Sequence, residues 1–336
     1  MGDQADHTET GNPPNYLDPR NLAQLNSIEL RARMMIEGMM IGMHRSAHLG
    51  FSIEFAQHRP YTPGDDLRHL DWKVFARTDK LYLKQYQKET HLDLVILVDV
   101  SGSMGFTSDR RLNWRKYDHA ASLAAALAYV ALQQQDRVGL NLFSDRVIAT
   151  RAPSNATDHW RWILEALGEV QLEAISGEQF AGGQKEIQDA GTDLGRLFDE
   201  VVATVARRSL IVLISDLFDE PDTLERALAR LRFRRHDLIV FQVLDHAELT
   251  FPYRAPAEFH GLEGEGRLPF NPAALRAAYL DTLQAHLGRI AQVTRRFGFD
   301  HLLVDTSEPL GASLSHFLAA RATAISKARR VSRQSR

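Results

Sequence analysis

The sequence contains no cysteine, which excludes disulfides, thiolate zinc sites and cysteine nucleophiles. It has no run of about 18 uncharged apolar residues, the length a helix needs to cross a bilayer. The longest run that could suggest a span, Met34 to Met43, carries Glu37 and two glycines and is too short and too polar for one. The opening MGDQADHTETGNPPNY is acidic and polar where a secretory signal would be basic and then apolar. Charge of one sign is also scarce. A net charge of −3 gives no bulk basic face for nucleic acid. Missing too are a Gly-x-x-x-x-Gly-Lys-Ser/Thr phosphate loop, a dinucleotide glycine fingerprint after a strand and a Gly-x-Ser-x-Gly elbow. The expected location is cytoplasmic.

What is present is enough apolar material for a full core, 44% hydrophobic over 336 residues. The pattern predicts a disordered tail over 1–16, a helix and charged module over 17–91, a main domain over 92–328 and a basic tail over 329–336. Apolar residues from Leu22 to Met43 recur at spacings of three and four, with Asp18 as cap and Pro19 in the first turn, so one helix is expected from about Asp18 to His44. Five of the seven methionines fall in this helix, which is read as packing on the sheet domain. Residues 45–91 are dense in charge and aromatics. Strands are expected at Ser52 to His58 and Leu81 to Gln87, with a short helix opened by Asp65 or Asp66. Arg59, Arg68, Asp71, Trp72 and Arg77 are candidates for a buried polar network.

From residue 92 onward strand and helix alternate. LDLVILVDV and SLIVLISDL, at Leu92 to Val100 and Ser209 to Leu217, are continuous apolar runs of the kind buried on both faces of a parallel sheet. Tyr117 to Gln135 is an alanine-rich helix, and Val138 to Phe143 with Val147 to Ala152 reads as a hairpin at an antiparallel edge. Further helices (about 158–169, 194–207, 222–232, 272–297 and 309–328) and strands (237–244 and 301–304) complete an α/β class: a doubly wound, mostly parallel, Rossmann-like sheet with a small N-terminal α+β module.

Three features fall on the carboxyl edge of such a sheet if its two apolar strands are neighbours. Asp99, Ser101 and Ser103 leave the first apolar strand, Thr192 enters a helix, and Asp216 ends the second apolar strand. Ligands bind at that edge in open α/β sheets. Hard oxygen donors of this kind suit Mg²⁺ or Mn²⁺, and an ion offset by at most two carboxylates stays electrophilic enough to take an acidic side chain from a partner. Each residue also has an ordinary structural use, in turns for Asp99 and the serines, as a helix cap for Thr192 and at a strand end for Asp216.

The Asp99-x-Ser101-x-Ser103 pattern followed by Thr192 and Asp216 resembles the metal-ion-dependent adhesion site of von Willebrand factor A domains. Arg59-Pro60-Tyr61, Pro63-Gly64-Asp65-Asp66, Arg68, Asp71-Trp72 and Ala76-Arg77 are similar to the signature of domain-of-unknown-function family fifty-eight. That resemblance implies a von Willebrand factor A-like domain over 92–328, and a non-enzymatic adaptor working with a MoxR-type AAA+ ATPase in complex assembly or remodelling. The site it implies is Mg²⁺ (or Mn²⁺) held by Asp99, Ser101, Ser103, Thr192 and Asp216. The alternative is a Mg²⁺-dependent phosphoryl transferase or hydrolase at the same edge. Against it, an aspartyl-phosphate enzyme wants a second acid where Ser101 stands, and His69, His91 and His119 are isolated.

Overall fold

The computed structural model describes residues 18–25, 27–45, 58–62, 72–84, 93–109, 111–144, 146–170, 200, 205, 208–218, 221–254, 257–260, 267–270, 272–311 and 313–320, with a few side chains inside these ranges left aside. It divides into two compact units, one of residues 42–91 and one of residues 1–41 with 92–336.

In the larger unit the chain opens with α1 (Pro19–Leu22) and α2 (Ile28–Arg45). The Asp18 side chain caps α1 through the Arg20 amide at 2.9 Å. The single helix expected here is broken, because Ser27 Oγ accepts from the Leu30 amide at 3.4 Å and starts α2 afresh. Ala32 and Met35 are fully buried. Arg31 lies 5.0 Å from the Trp114 ring centroid and 3.6 Å from Asp118, which fastens the first half of α2 to the sheet domain.

The smaller unit, taken by itself, pairs β1 (His58–Pro60) antiparallel with β2 (Tyr82–Lys84), and α3 (Trp72–Thr78) lies between them in sequence. The first expected strand lies outside the described residues except for His58, as do Asp65, Asp66, Arg68 and Asp71. A buried network is not what the described members form. Trp72 is 63% exposed, its ring edge-on to Phe75, and Arg77 is exposed.

The sheet begins with β3 (Asp93–Asp99), followed by α4 (Lys116–Gln133), β4 (Arg137–Phe143), β5 (Val147–Ser154) and α5 (His159–Gly168). Then come β6 (Ser209–Ser215), α6 (Pro221–Phe233), β7 (Asp237–Leu244) and α7 (His246–Thr250). A two-stranded excursion, β8 (Ala257–His260) with β9 (Arg267–Phe270), precedes α8 (Pro272–Arg296) and β10 (Asp300–Asp305). Residues 313–320 are helical. The strand order is β10-β7-β6-β3-β4-β5, parallel except for β5, which runs antiparallel to β4 as the hairpin pattern predicts. This is a six-stranded, Rossmann-like α/β sheet in general form.

Burial follows the sequence pattern. Every residue of β3 and β6 is buried, whereas β5 alternates between half-buried and exposed as an edge strand should. Val95, Leu97, Ile211, Leu213 and Val240 share one core with Leu224, Leu228, Ile290 and Val293 of α6 and α8. Leu94, Ile96 and Val98 alternate to the other face, where α4 packs across β3, β4, β6 and β7. The seven alanines of α4 let its backbone come close to the sheet. Gly139 in β4 serves close approach too, since a Cβ there would meet the Arg151 carbonyl at 3.1 Å and the Pro153 ring at 3.2 Å.

Candidate functional site

The chain leaves β3 toward β4 on one side and later adds β6 on the other, so the strand order reverses between β3 and β6. Such a switch point leaves a crevice at the carboxyl ends of the two strands. Asp99 is the last residue of β3, and Asp216 directly follows Ser215, the last residue of β6. Both aspartates are buried, at 2% and 3% exposure.

Asp99 is held entirely by neutral donors. The Ser101 amide donates to Oδ1 at 2.8 Å and the Ser215 hydroxyl to Oδ2 at 2.5 Å. Ser215 Oγ also accepts from the Leu217 amide at 3.0 Å, while the Leu217 carbonyl accepts from His286 Nε2 at 2.7 Å. These bonds hold Leu217 at φ 54°, a left-handed conformation that costs a branched residue about 1 kcal/mol. Ser101 caps a short 3-10 helix (Gly102–Gly105) that contains Ser103; both serines are partly exposed, with their hydroxyl oxygens 3.0 Å apart. Burial first, then repulsion from the Asp216 carboxylate, pushes Asp99 up to about 7.

Asp216 has a partner that the sequence did not announce. Lys116, the first residue of α4, is fully buried, and its Nζ donates to Asp216 Oδ2 at 2.8 Å and to Glu248 Oε1 at 2.9 Å. The ammonium lies 5.2 Å from the centroid of Phe218. Burial opposes its charge, yet the two carboxylates outweigh burial and the net shift is upward. For Glu248 burial prevails over Lys116 and the net shift is also upward. Its second oxygen accepts from the Asp245 amide at 2.7 Å, and Asp245 in turn accepts from the Ser108 amide at 3.1 Å. The site therefore holds a third carboxylate and an internal cation besides the two aspartates expected.

The structure thus brings Asp99, Ser101, Ser103 and Asp216 to one edge, while Thr192 lies outside the described residues. Lys116 was missed because a lone lysine before an alanine-rich run carries no pattern, and only the approach of α4 to β6 gives it a role. Glu248 was in principle legible, since Asp245-x-x-Glu248 is a capping-box spacing. His119 is buried with Nδ1 accepting from Trp114 Nε1 at 3.2 Å, and burial lowers it to about 4. His69 and His91 lie outside the described residues. Among the described residues no three His, Cys, Asp or Glu side chains group as they would around a metal. A groove opens beside Ser101 and Gly102, lined by Leu142, Arg146, Ile148 and Trp162.

The model of the family described as "Protein of unknown function DUF58" matches residues 57–288. The chain is similar to uncharacterized proteins of Mycobacterium bovis (Mb1516) and Mycobacterium tuberculosis (Rv1480). Each is 26% identical over 318 residues, which cover 92% of this chain and 94% of the relative. Among solved structures, BatB from Bacteroides thetaiotaomicron matches at 16% identity, 69% of this chain, 99% of that one and a TM-score of 0.43. An aerotolerance-related membrane protein from Bacteroides fragilis matches at 15%, 67%, 97% and 0.40. An uncharacterized membrane spanning protein from Vibrio fischeri matches at 17%, 68%, 98% and 0.23. Likenesses of this degree do not extend to activity. Two of the three are named as membrane proteins, and the cytoplasmic location expected from the sequence is withdrawn. Among the described residues no helix is long and apolar enough to cross a membrane.

Proposed function

This chain belongs to the DUF58 family, and from that premise we propose that it is a divalent-cation-dependent protein-interaction module of the von Willebrand factor A type. One observation carries the reading: Asp99 and Asp216 end adjacent parallel strands at the switch crevice, with the Ser101 and Ser103 hydroxyls beside Asp99. The donors fit Mg²⁺ or Mn²⁺, being hard oxygens throughout. The absence of any cationic side chain paired with Asp99 among the described residues fits as well. Asp99, Ser101, Ser103 and Asp216, together with Thr192, are the residues that would hold the ion. When bound, it supplies a Lewis-acidic position for a carboxylate from a partner.

The chain's own residues do the remaining work. Ser215 and the Ser101 amide fix the Asp99 carboxylate, and the strained Leu217 sets the exit of β6 so that Asp216 stays at the crevice. The groove beside Ser101 and Gly102, lined by Arg146 and also by Glu165 and Glu169, gives a partner segment a route to the edge. The partner we propose is a MoxR-type AAA+ ATPase, and the process is assembly or remodelling of a protein complex.

Affinity capture with the intact protein and with Asp99→Ala, each in Mg²⁺ and in chelator, tests this. The expected result is an acidic-segment partner retained only by the intact protein in Mg²⁺. Retention that is indifferent to both the substitution and the chelator sinks the reading. Mg²⁺-dependent turnover of a phosphoester would instead favour phosphoryl transfer or hydrolysis at the same edge.

A further inference from the structure

We propose that Lys116 is a tethered competitor for the cation position, so that its ammonium and a divalent cation are alternative counter-charges for Asp216. The inference rests on the metal reading above and goes beyond it by assigning a residue that sets whether the site is open. Three observations support it. Lys116 Nζ sits 2.8 Å from Asp216 Oδ2, and its side chain is 1% exposed, so the ammonium is a buried counter-charge rather than a surface ion pair. The same ammonium has a second berth, Glu248 Oε1 at 2.9 Å, on a different element. Finally, Glu248 is anchored through its other oxygen to the Asp245 amide that caps α7, so the second berth stays in place when Lys116 lets go of Asp216.

These contacts define two states of the chain's own residues. In one, Lys116 bridges Asp216 and Glu248, and the Asp216 oxygen it holds is not available as a ligand. In the other, Lys116 rests on Glu248 and Asp216 faces Asp99. The apparent affinity for a divalent cation is then the intrinsic affinity reduced by the fraction of molecules in the second state. A lysine placed in this way makes the site selective for conditions that favour the second state, which a permanently open pair of aspartates would not be.

Calorimetric titration with Mn²⁺ alone, on the full chain, tests the competition. Lys116→Met is expected to bind Mn²⁺ roughly tenfold or more tightly than the natural protein, and its melting temperature to rise more on adding Mn²⁺. Because Lys116→Met leaves two buried carboxylates without a counter-ion, the double variant Lys116→Met/Glu248→Leu, which removes one charge of each sign, is measured beside it and should show the same gain. In the unaltered protein, labelled with ¹⁵N-lysine, the Lys116 ammonium resonance should shift as Mn²⁺ is replaced by diamagnetic Mg²⁺ at saturation and chelator is then added.

Equal or weaker binding by the variants, or a Lys116 resonance that does not move while the natural protein binds the ion, overturns the competition and leaves the metal reading standing. Binding by the variants alone upholds the competition and removes metal dependence from the natural protein. Absence of binding in every folded protein overturns both.

Discussion

Two aspartates close the two ends of β3, equally withdrawn from water and differently treated. Asp93, at the amino end and 5% exposed, is clasped by Arg137 of the neighbouring strand through Nε at 2.7 Å and Nη2 at 2.5 Å. Asp99, at the carboxyl end and 2% exposed, receives serine hydroxyls and a backbone amide, all neutral donors. The amino end of β7 repeats the first solution, with Arg208 on Asp237 at 2.7 Å. Burying a carboxylate costs several kcal/mol unless charge and hydrogen bonds compensate it, and the two-pronged arginine is the usual compensation. The amino edge of the sheet is therefore built for stability. At the carboxyl edge that compensation is withheld from Asp99 and given to Asp216 through a lysine that also serves Glu248. A carboxylate kept buried without a cation is an unfinished site, the condition expected where an ion or a proton is exchanged.

That contrast can be broken at several places. The largest effect should come from Arg137→Met, which strips Asp93 of its partner and should lower unfolding stability by about 3 kcal/mol, read by denaturant titration. A loss below about 1 kcal/mol would make the two ends of β3 alike.

The second effect is a pH dependence. Asp99 is raised from 3.8 to about 7 in the folded protein, so the folded state binds its proton more tightly than the unfolded chain. Its contribution is complete below about pH 4 and is lost as pH rises through about 7. Asp99→Asn should remove that loss, gaining on the order of 2 kcal/mol over the natural protein at pH 8 in chelator. Parallel stability profiles for the two proteins would refute it.

His119 gives a weaker effect of opposite sign. Burial lowers it to about 4, so its neutral form favours folding above about pH 6.5, and that contribution is lost as pH falls toward 4. His119→Gln should flatten the acid side of the stability profile by about 1 kcal/mol. Smallest of all is Ser101→Ala. It should change stability by less than about 0.5 kcal/mol while weakening Mn²⁺ binding several-fold, because the hydroxyl is partly exposed and lies beside Ser103 and Asp99 at the crevice. A stability loss equal to that of Arg137→Met would mark Ser101 as structural.

Much of the fold was legible because the two central strands carry their burial in their composition. A short run such as LDLVILVD has no polar face to offer solvent, and its length and branched residues mark a strand covered on both sides. The strand over 237–244 and the hairpin of β4 and β5 were readable for the same reason, one from continuous and the other from alternating apolarity. The break between α1 and α2 was not, because Ser27 acts as a cap only once Leu30 folds over it. In the site, the aspartates and serines could be picked out since acids and hydroxyls at strand ends form a local pattern. Lys116 and Glu248 stand 132 residues apart and meet only through packing.

By itself the sequence determined the layered α/β sheet and the position of two acids at the ends of its most apolar strands, because hydrophobic periodicity is a local property that each segment carries with it. Only the tertiary structure decided how those acids are compensated. Charge balance in a buried crevice depends on which distant side chains arrive there, and the arrival of Lys116 between Asp216 and Glu248 is a consequence of how α4 crosses the sheet.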